Sequence, residues 1–319
     1  MYQAVAYQKR TNTVHVWDDQ KGHVQIKYKP YAYRKATYGK LVALDGQTVE
    51  KVYNPGDEQG LYENDLNPEM RTLIDMYTDS DEASVGHKTL FIDIEVDIES
   101  GFPTPEKAEN EVTSIAIYDE AGDQRCVWIL DKDGVVDNVN KPGYEVTSCS
   151  DERLLLSRFL VKYQEIMPTL ITGWNIDFFD IPYLYNRMCH ILGEKQARGI
   201  SPINDVIWLK HRNRYRISGV SCLDYMALYK NFTYNQESSY SLEAISQKEL
   251  GKGKMKYEGT LDDLMKNDIQ GYIDYNMNDV DLVYEIDQKM KLMDLARSIC
   301  HKGHVPYEDF LFPTRYLDG

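Results

Sequence analysis

The sequence predicts an α/β protein, a mixed sheet covered by helices on both faces and preceded by a β-rich segment. Three observations carry this. Residues 89–130 hold three short apolar strand-like runs in close succession. After them, helical and strand-like stretches take turns. The first 75 or so residues alternate apolar and polar side chains between turn signals. A length of 319 residues fits roughly two domains. We place a β-rich N-terminal domain at 1–85 and the α/β domain at 86–300. Residues 301–319 form a C-terminal tail, for which packing back on the N-terminal domain is one open arrangement.

In chain order, AVAYQKRTNTVHVWDDQKGHVQIKYK (4–29) reads as strands, with a turn at Asp18–Gly22. TDSDEASVGHK (78–88) is small and polar and reads as a linker. Strands follow at 89–96, 111–118 and 124–130, and DKDG (131–134) is a turn. A helix is predicted over 151–166, with Ser148 and Asp151 at capping-box spacing ahead of it and Pro168 beyond its end. TLITGW (169–174) reads as a short buried strand. Asp180 opens a helix over 181–192, with Pro182 in its first turn. Residues 205–211 and 215–224 suggest a further strand and a hairpin. Ser241 caps a helix to about 250, GKGKMKYEG (251–259) is a loop, and one long helical pattern runs from about 261 to 299. Three meandering strands followed by α-β-α-β-α is the ribonuclease-H-like plan.

The net charge of −15 argues against non-specific nucleic-acid binding, because phosphate contact needs Lys and Arg. The charge is uneven, however. From Arg187 to Arg216 seven bases face only Glu194 and Asp205. An acidic chain can act on a polyanion if its acids hold cations and a local basic strip holds the strand. No apolar run approaches the ~18 residues of a membrane span. MYQAVAYQKR lacks the pattern of a signal peptide. Five cysteines without a C-x-x-C pair fit a reducing, cytoplasmic compartment. His301 and His304, spaced i, i+3, lack supporting ligands and read as loop residues.

Three constellations of carboxylates stand out. FIDIEVDIESGFPTP (91–105) alternates Ile and Val with Asp93, Glu95, Asp97 and Glu99. On a strand, residues i and i+2 point the same way, so two of these acids can reach one hard cation or a close pair of cations; a solvated strand face is the competing reading. Asp180 follows a buried strand and opens a helix, where an N-cap competes with a ligand role and Asp177 competes for both. Tyr275 and Asp279 in YNMNDVDLVYE share one helix face at i, i+4, on a helix that also carries Asp274, Asp281 and Asp287. A ribonuclease-H-like sheet brings its first strand, a mid-chain loop and a late helix to one edge. Four carboxylates there suit two divalent ions, which stabilise the attacking and leaving oxygens in phosphodiester hydrolysis.

FIDIEVDIESGFPTP, TGWNIDFFDIPYLYNRM and YNMNDVDLVYE, in that order and spacing, resemble the three exonuclease motifs of family B DNA polymerases, those of T-even-like phages above all. The resemblance covers about residues 85–300, and only loosely the β-rich start. It implies metal-ligand roles for Asp93, Glu95, Asp180 and Asp279, with Tyr275 orienting the attacking water. It also implies DNA contacts. Phe102 would pack against bases of a frayed 3′ end, although one extra residue separates it from Glu95 here. Asn175 would lie near the 3′ nucleotide, and Lys254 would reach into the site. RNRYRISGV (212–220) would form a hairpin holding primer from template, with Arg212, Arg214 and Arg216 as a basic edge toward phosphate; an ordinary solvated strand is the competing reading.

The resemblance implies a 3′→5′ DNA exonuclease with two divalent ions, Mg²⁺ or alternatively Mn²⁺, hydrolysing the terminal phosphodiester of single-stranded or frayed 3′ ends. Its setting would be the cytoplasm of an infected bacterium. The family continues into a palm, whereas this sequence stops at FPTRYLDG, so it is expected not to polymerise alone. MYTDSD (76–81) resembles the palm's Asp-Thr-Asp signature but lies ahead of the first motif, and reads as coincidence. A separate palm, fingers and thumb subunit, and a sliding clamp through it, are the partners this implies. Two other readings remain at this point: an RNA-trimming exonuclease of the same superfamily, and a non-catalytic scaffold of a split polymerase.

Overall fold

Residues 1–80, 82–99, 101–136, 140, 141 and 143–318 are described by the computed structural model. β1 (Tyr2–Gln8), β2 (Thr13–Asp18) and β3 (Gly22–Lys27) form an antiparallel meander. β4 (Tyr31–Lys35), β5 (Leu41–Val42) and β6 (Thr48–Tyr53) form a second sheet, in the order β4-β6-β5. Helix α1 (Pro68–Tyr77) follows, which the strand pattern of this segment did not suggest. Its start has a sequence signal. Asn67 accepts from the Met70 N–H, and Pro68 stands in the first turn, where no N–H is required.

The segment read as a linker is tied down. The Ser84 N–H donates to His301 Nε2 at 3.1 Å, and its hydroxyl bonds Tyr307 Oη and His87 Nε2, each at 2.7 Å. Asp81, the last residue of the palm-like MYTDSD, lies outside the described residues.

The second half is built on β7 (Thr89–Val96), β8 (Val112–Asp119), β9 (Gln124–Leu130), β10 (Asn140–Lys141), β11 (Tyr144–Cys149), α2 (Glu152–Ile166), β12 (Leu170–Gly173), α3 (Asp180–Ile191) and α4 (Glu194–Ala197). The hairpin β13 (Val206–Leu209) and β14 (Arg214–Ile217) comes next, then β15 (Ser221–Asp224), α5 (Tyr225–Phe232) and α6 (Leu242–Leu250). α7 (Leu261–Asn267), α8 (Ile269–Met290), α9 (Leu292–Lys302) and α10 (Pro313–Asp318) complete the chain. Among the described residues the main sheet has seven strands, ordered β10-β11-β9-β8-β7-β12-β15. β7, β8 and β9 form the antiparallel meander, while β11, β12 and β15 pair in parallel. This is the mixed, ribonuclease-H-like sheet that the element order predicts.

Period two decides what each face of β7 does. Leu90, Ile92, Ile94 and Val96 pack on one side, with Leu155, Phe159 and Leu160 of α2 and Ile181 and Leu184 of α3. Phe91 points the other way, into a cluster with Ile273, Met277, Val280 and Val283 of α8. Burying side chains of this size contributes ~1.5–3 kcal/mol each. Asp93 and Glu95 share the face of Phe91, so they point beneath α8 rather than into open water.

Three local expectations change. The long helical pattern over 261–299 is three helices: Asp268 caps α8 through the Gly271 N–H, and Lys291 breaks the chain again at φ 55°. Asp151 alone caps α2, through the Leu154 N–H, while Ser148 lies on β11 and donates to Asp131. His301 is not in a loop; it is buried in the last turn of α9. The C-terminal segment contacts the first strand, since Tyr2 Oη donates to the Val305 carbonyl at 2.6 Å and Tyr307 Oη to the Tyr2 carbonyl at 2.8 Å.

Candidate active site

The cluster forms where β7 ends beside α8 and the start of α3. Asp93 and Glu95 occupy the last turns of the pleat. The β7–β8 register shifts between Glu95 and Val96, a bulge at the point where the strand leaves the ladder. One carboxylate oxygen each from Asp93, Glu95 and Asp279 lies within 4.8 Å of the others. Asp180 stands one step back, outside that group of three. Its Oδ1 accepts the Ile94 N–H at 3.1 Å, on the strand residue between Asp93 and Glu95. The side chain therefore does not cap its own helix: the residue before α3 is Phe179, which makes no side-chain cap bond. Asp177, the competitor, pairs with Arg214 instead.

Gly173 makes the approach of this segment possible. A Cβ there would stand 2.3 Å from the Ile92 carbonyl oxygen. The chain then turns through Asn175, at φ 67°, whose N–H bonds the Asp224 carboxylate at 3.3 Å.

Lys254 lies at the cluster. Its ammonium donates to Asp279 Oδ2 at 2.5 Å and to Tyr275 Oη at 3.1 Å. The loop is set by Glu243, whose carboxylate accepts the Lys254 N–H at 2.5 Å. Two residues escaped the sequence reading. Asn276 is wholly buried, donates to Asp93 Oδ2 at 2.7 Å and accepts from the Ser114 hydroxyl at 2.7 Å. Tyr257 stands edge-on to Tyr275, with ring centroids 5.3 Å apart. Asn276 immediately follows Tyr275, but only the register of α8 on β8 shows that it faces Asp93.

The electrostatics are those of crowded acids. Burial, then the charges of Asp279, Asp180 and Glu95, holds the Asp93 carboxyl well above the usual range. Burial and Asp279 push Glu95 up to about 8. Burial pushes Asp180 up to about 7, against the pull of the Ile94 N–H. Burial also raises Asp279, against Lys254. For Lys254 burial opposes the charge, but Asp279 and Asp93 outweigh it and raise its pKa. Tyr275 is raised by burial and by Asp279, so its phenol stays protonated.

These residues fit a hard divalent cation. All the donors are carboxylate oxygens, the ligand type that Mg²⁺ and Mn²⁺ take. Asp279 Oδ1 is buried with no hydrogen-bond partner among the described residues, an acceptor left open toward the cluster.

The predicted DNA contacts divide. Phe102 is 92% exposed in the loop after β7. The other two acids of the opening motif lie beyond the end of the strand: Asp97 Oδ1 accepts the Glu99 N–H, and Glu99 pairs with Lys266. Ser100, the next residue, is outside the described residues. The three arginines of the expected basic edge each have a carboxylate partner. Arg212 pairs with Asp309 at 2.8 Å, Arg214 with Asp177 at 2.6 Å, and Arg216 with Glu69 at 3.2 Å. All three are turned toward protein carboxylates instead of presenting a free cationic row. Two of those counter-charges come from segments about a hundred or more residues away, which the local sequence does not reveal.

A carboxylate-lined site where the central strand of a ribonuclease-H-like sheet ends is the arrangement expected of a metal-dependent nuclease. A family model described as the exonuclease domain of DNA polymerase family B matches residues 62–245. The matched span includes Asp93, Glu95 and Asp180 and ends before Tyr275 and Asp279. The DNA-directed DNA polymerase of Escherichia phage RB69 is 32% identical over 255 residues, 71% of this chain and 28% of that protein. That of Enterobacteria phage T4 is 33% identical over 246 residues, 68% of this chain and 27% of that protein. DNA polymerase 1 of Aeropyrum pernix is 32% identical over 204 residues, 61% of this chain and 20% of that protein. The chain belongs to the exonuclease-domain family of the family B DNA polymerases, and spans about a quarter of the length of the phage relatives. Domains of this family are hydrolytic exonucleases that bind DNA 3′ ends and use divalent metal ions.

Proposed function

We propose that this chain removes nucleotides one at a time from the 3′ end of single-stranded or frayed DNA, in the 3′→5′ direction, as the proofreading portion of a family B polymerase. The observation that carries the reading is the convergence of Asp93, Glu95 and Asp279 within 4.8 Å, with Asp180 and Tyr275 beside them, from elements far apart in sequence. Asp93, Glu95, Asp180 and Asp279 would hold two divalent ions, Mg²⁺ in the first instance. When bound, such ions supply Lewis-acid charge to the attacking and leaving oxygens of an in-line displacement.

The chain's own residues do the positioning. Asn276, fixed by Ser114, holds Asp93 Oδ2 and so sets which oxygen lone pairs face the cluster. Tyr275 Oη accepts from Lys254, which leaves its own proton free to hold a water oxygen in line with the terminal phosphorus. With its pKa raised, Tyr275 orients and does not act as a base. Lys254 brings a positive charge to the point where the phosphate must enter a field of four carboxylates. Mismatched ends are favoured because unpairing them costs less than unpairing matched ones.

A 5′-labelled oligodeoxynucleotide with Mg²⁺ should yield a descending ladder, abolished by EDTA and by Asp93→Ala with Glu95→Ala. An RNA strand of the same sequence, run in parallel, should be degraded more slowly. Preferential degradation of RNA would redirect the reading to RNA trimming, and an intact DNA strand under saturating metal would end the enzymatic claim.

A further inference from the structure

With its arginines turned inward, the β13–β14 hairpin has another means of holding a strand. A groove of about 380 Å³ runs between the hairpin, the loop after β7 and the start of α3. Phe178, 52% exposed, lines it from the loop ahead of α3. Trp208, 37% exposed, lines it from β13. Pro105 and Pro182 also line it. The Trp208 ring meets Tyr215 edge-on at 4.9 Å, and Tyr215 Oη donates to Asn186 Oδ1 at 2.7 Å. The Asn186 amide in turn donates to the Pro105 carbonyl at 2.8 Å. This wall is therefore braced before any ligand arrives.

We propose that this groove is a stacking site for an unpaired nucleobase of the strand whose 3′ end lies at the carboxylates, with Phe178 and Trp208 as its stacking faces. The inference rests on the exonuclease reading above and adds a subsite to it. Continuity argues for this occupant. Phe178 and Pro182 flank Asp180 by two residues on either side, and Pro105 lies on the loop that leaves β7 after Glu95. The groove and the carboxylates are thus carried in part by the same two segments of chain. The chemistry agrees as well. The lining offers apolar rings, two amides and the acidic Glu106, with no Lys or Arg, so it suits the neutral face of a base and not a phosphate. Stacking of this kind tolerates any sequence, because every base has a π-face.

Two measurements test it. In an Asp93→Asn background, which removes hydrolysis, dT10 should quench tryptophan fluorescence, and Trp208→Phe should remove most of that quench, leaving Trp17, Trp128 and Trp174 unaffected. In the active protein, Phe178→Ala with Trp208→Ala should raise KM for single-stranded DNA roughly tenfold, the size expected of one lost base stack. The rise should vanish on a series of oligonucleotides when the one nucleotide that reaches the groove is made abasic, and Trp208→Phe should restore most of the affinity. The salt dependence of binding should not change, since no phosphate contact is lost. Tyr38→Ala, an exposed ring on the N-terminal side, serves as the control and should leave KM as it is. An unchanged quench in Trp208→Phe, or an unchanged KM in the double variant, overturns the proposal. Because the quench is read without turnover, it decides the stacking site even if the wild type hydrolyses nothing, an outcome that would instead sink the exonuclease reading.

Discussion

Replacing Arg214 with methionine removes a guanidinium that is 6% exposed and leaves Asp177, 5% exposed, without its partner at 2.6 Å. Breaking a buried pair from one side costs about 3–5 kcal/mol, because the remaining charge is neither solvated nor paired. Arg214→Met should therefore lower the denaturation midpoint in urea by an amount equivalent to that range. Burial already raises the Asp177 pKa against the pull of Arg214, and without the arginine the carboxyl rises further. A carboxyl raised in the folded state favours unfolding wherever the unfolded chain is ionised and the folded one is not. The destabilisation should therefore be largest near neutral pH and shrink as pH falls toward about 4, where the unfolded carboxyl also binds its proton. Arg214→Met combined with Asp177→Leu removes both charges and should recover most of the loss, a coupling that a double-mutant cycle measures directly. A phosphate-holding arginine makes the opposite forecast: unchanged stability, weaker binding of single-stranded DNA, and a salt slope smaller by about 0.7 per lost contact. A variant as stable as the wild type with a reduced salt slope would refute the ion-pair account.

Other outcomes follow from the same geometry. Asp93→Asn should abolish hydrolysis, whereas Asp97→Asn with Glu99→Gln should leave most of it, and comparable losses in both would dissolve the distinction between the two pairs of acids. Lys254→Met removes the cation that neutralises Asp279, so calorimetry should show tighter binding of Ca²⁺ while the hydrolysis rate falls at least tenfold, on the order expected for losing one charged group at a reacting phosphate; weaker Ca²⁺ binding would contradict this. His301 is held at about 4 by burial, then by the N-terminal ammonium and Arg297. The unfolded chain takes up that proton near 6.5 and the folded one does not, so stability is present above pH 6.5 and falls as pH drops toward 4. About 2 kcal/mol is lost by pH 5 through this group. Urea melts at pH 8 and pH 5, with His301→Gln flattening the difference, measure it.

The order of strands and helices was legible because period-two and period-3.6 patterns survive in each segment by itself. The carboxylates were singled out because three motifs in order resemble those of a known family, and the structure brings Asp93, Glu95 and Asp279 together. What escaped has a common cause, since it depends on which distant segment covers a residue. The alternation at 91–99 looked like a wet face because nothing local announces that α8 lies over Asp93 and Glu95. Arg212, Arg214 and Arg216 looked like a free cationic row because Asp309, Asp177 and Glu69 are remote in sequence. Asn276 looked like one more polar helix residue until Ser114 and Asp93 closed around it. By contrast α1 carried its own signal in Asn67-Pro68, which the strand reading of that region passed over.

The acidic balance of the chain and the action on a polyanion proposed for it are reconciled at this site, and the arginine pairs bear on how. A strand of phosphates approaching bare Asp93, Glu95, Asp180 and Asp279 would be repelled, and those carboxyls respond to burial, and at Asp93 and Glu95 also to the neighbouring carboxylates, by binding protons more tightly. Divalent cations reverse the sign of that field only where the carboxylates stand, so attraction is confined to the terminal phosphates. The remainder of the strand cannot then be held by a general basic surface, and the hairpin's arginines are in fact spent on protein carboxylates. On the proposed reading, neutral aromatic faces such as Phe178 and Trp208 would be the contacts left for the bases upstream. It follows that affinity should depend steeply on divalent ion and weakly on monovalent salt beyond the first few nucleotides. Titrating binding of oligonucleotides of increasing length against NaCl tests this. A salt slope that keeps growing with length beyond about four nucleotides, the lower bound of usual single-strand sites, would require a phosphate track elsewhere on the molecule.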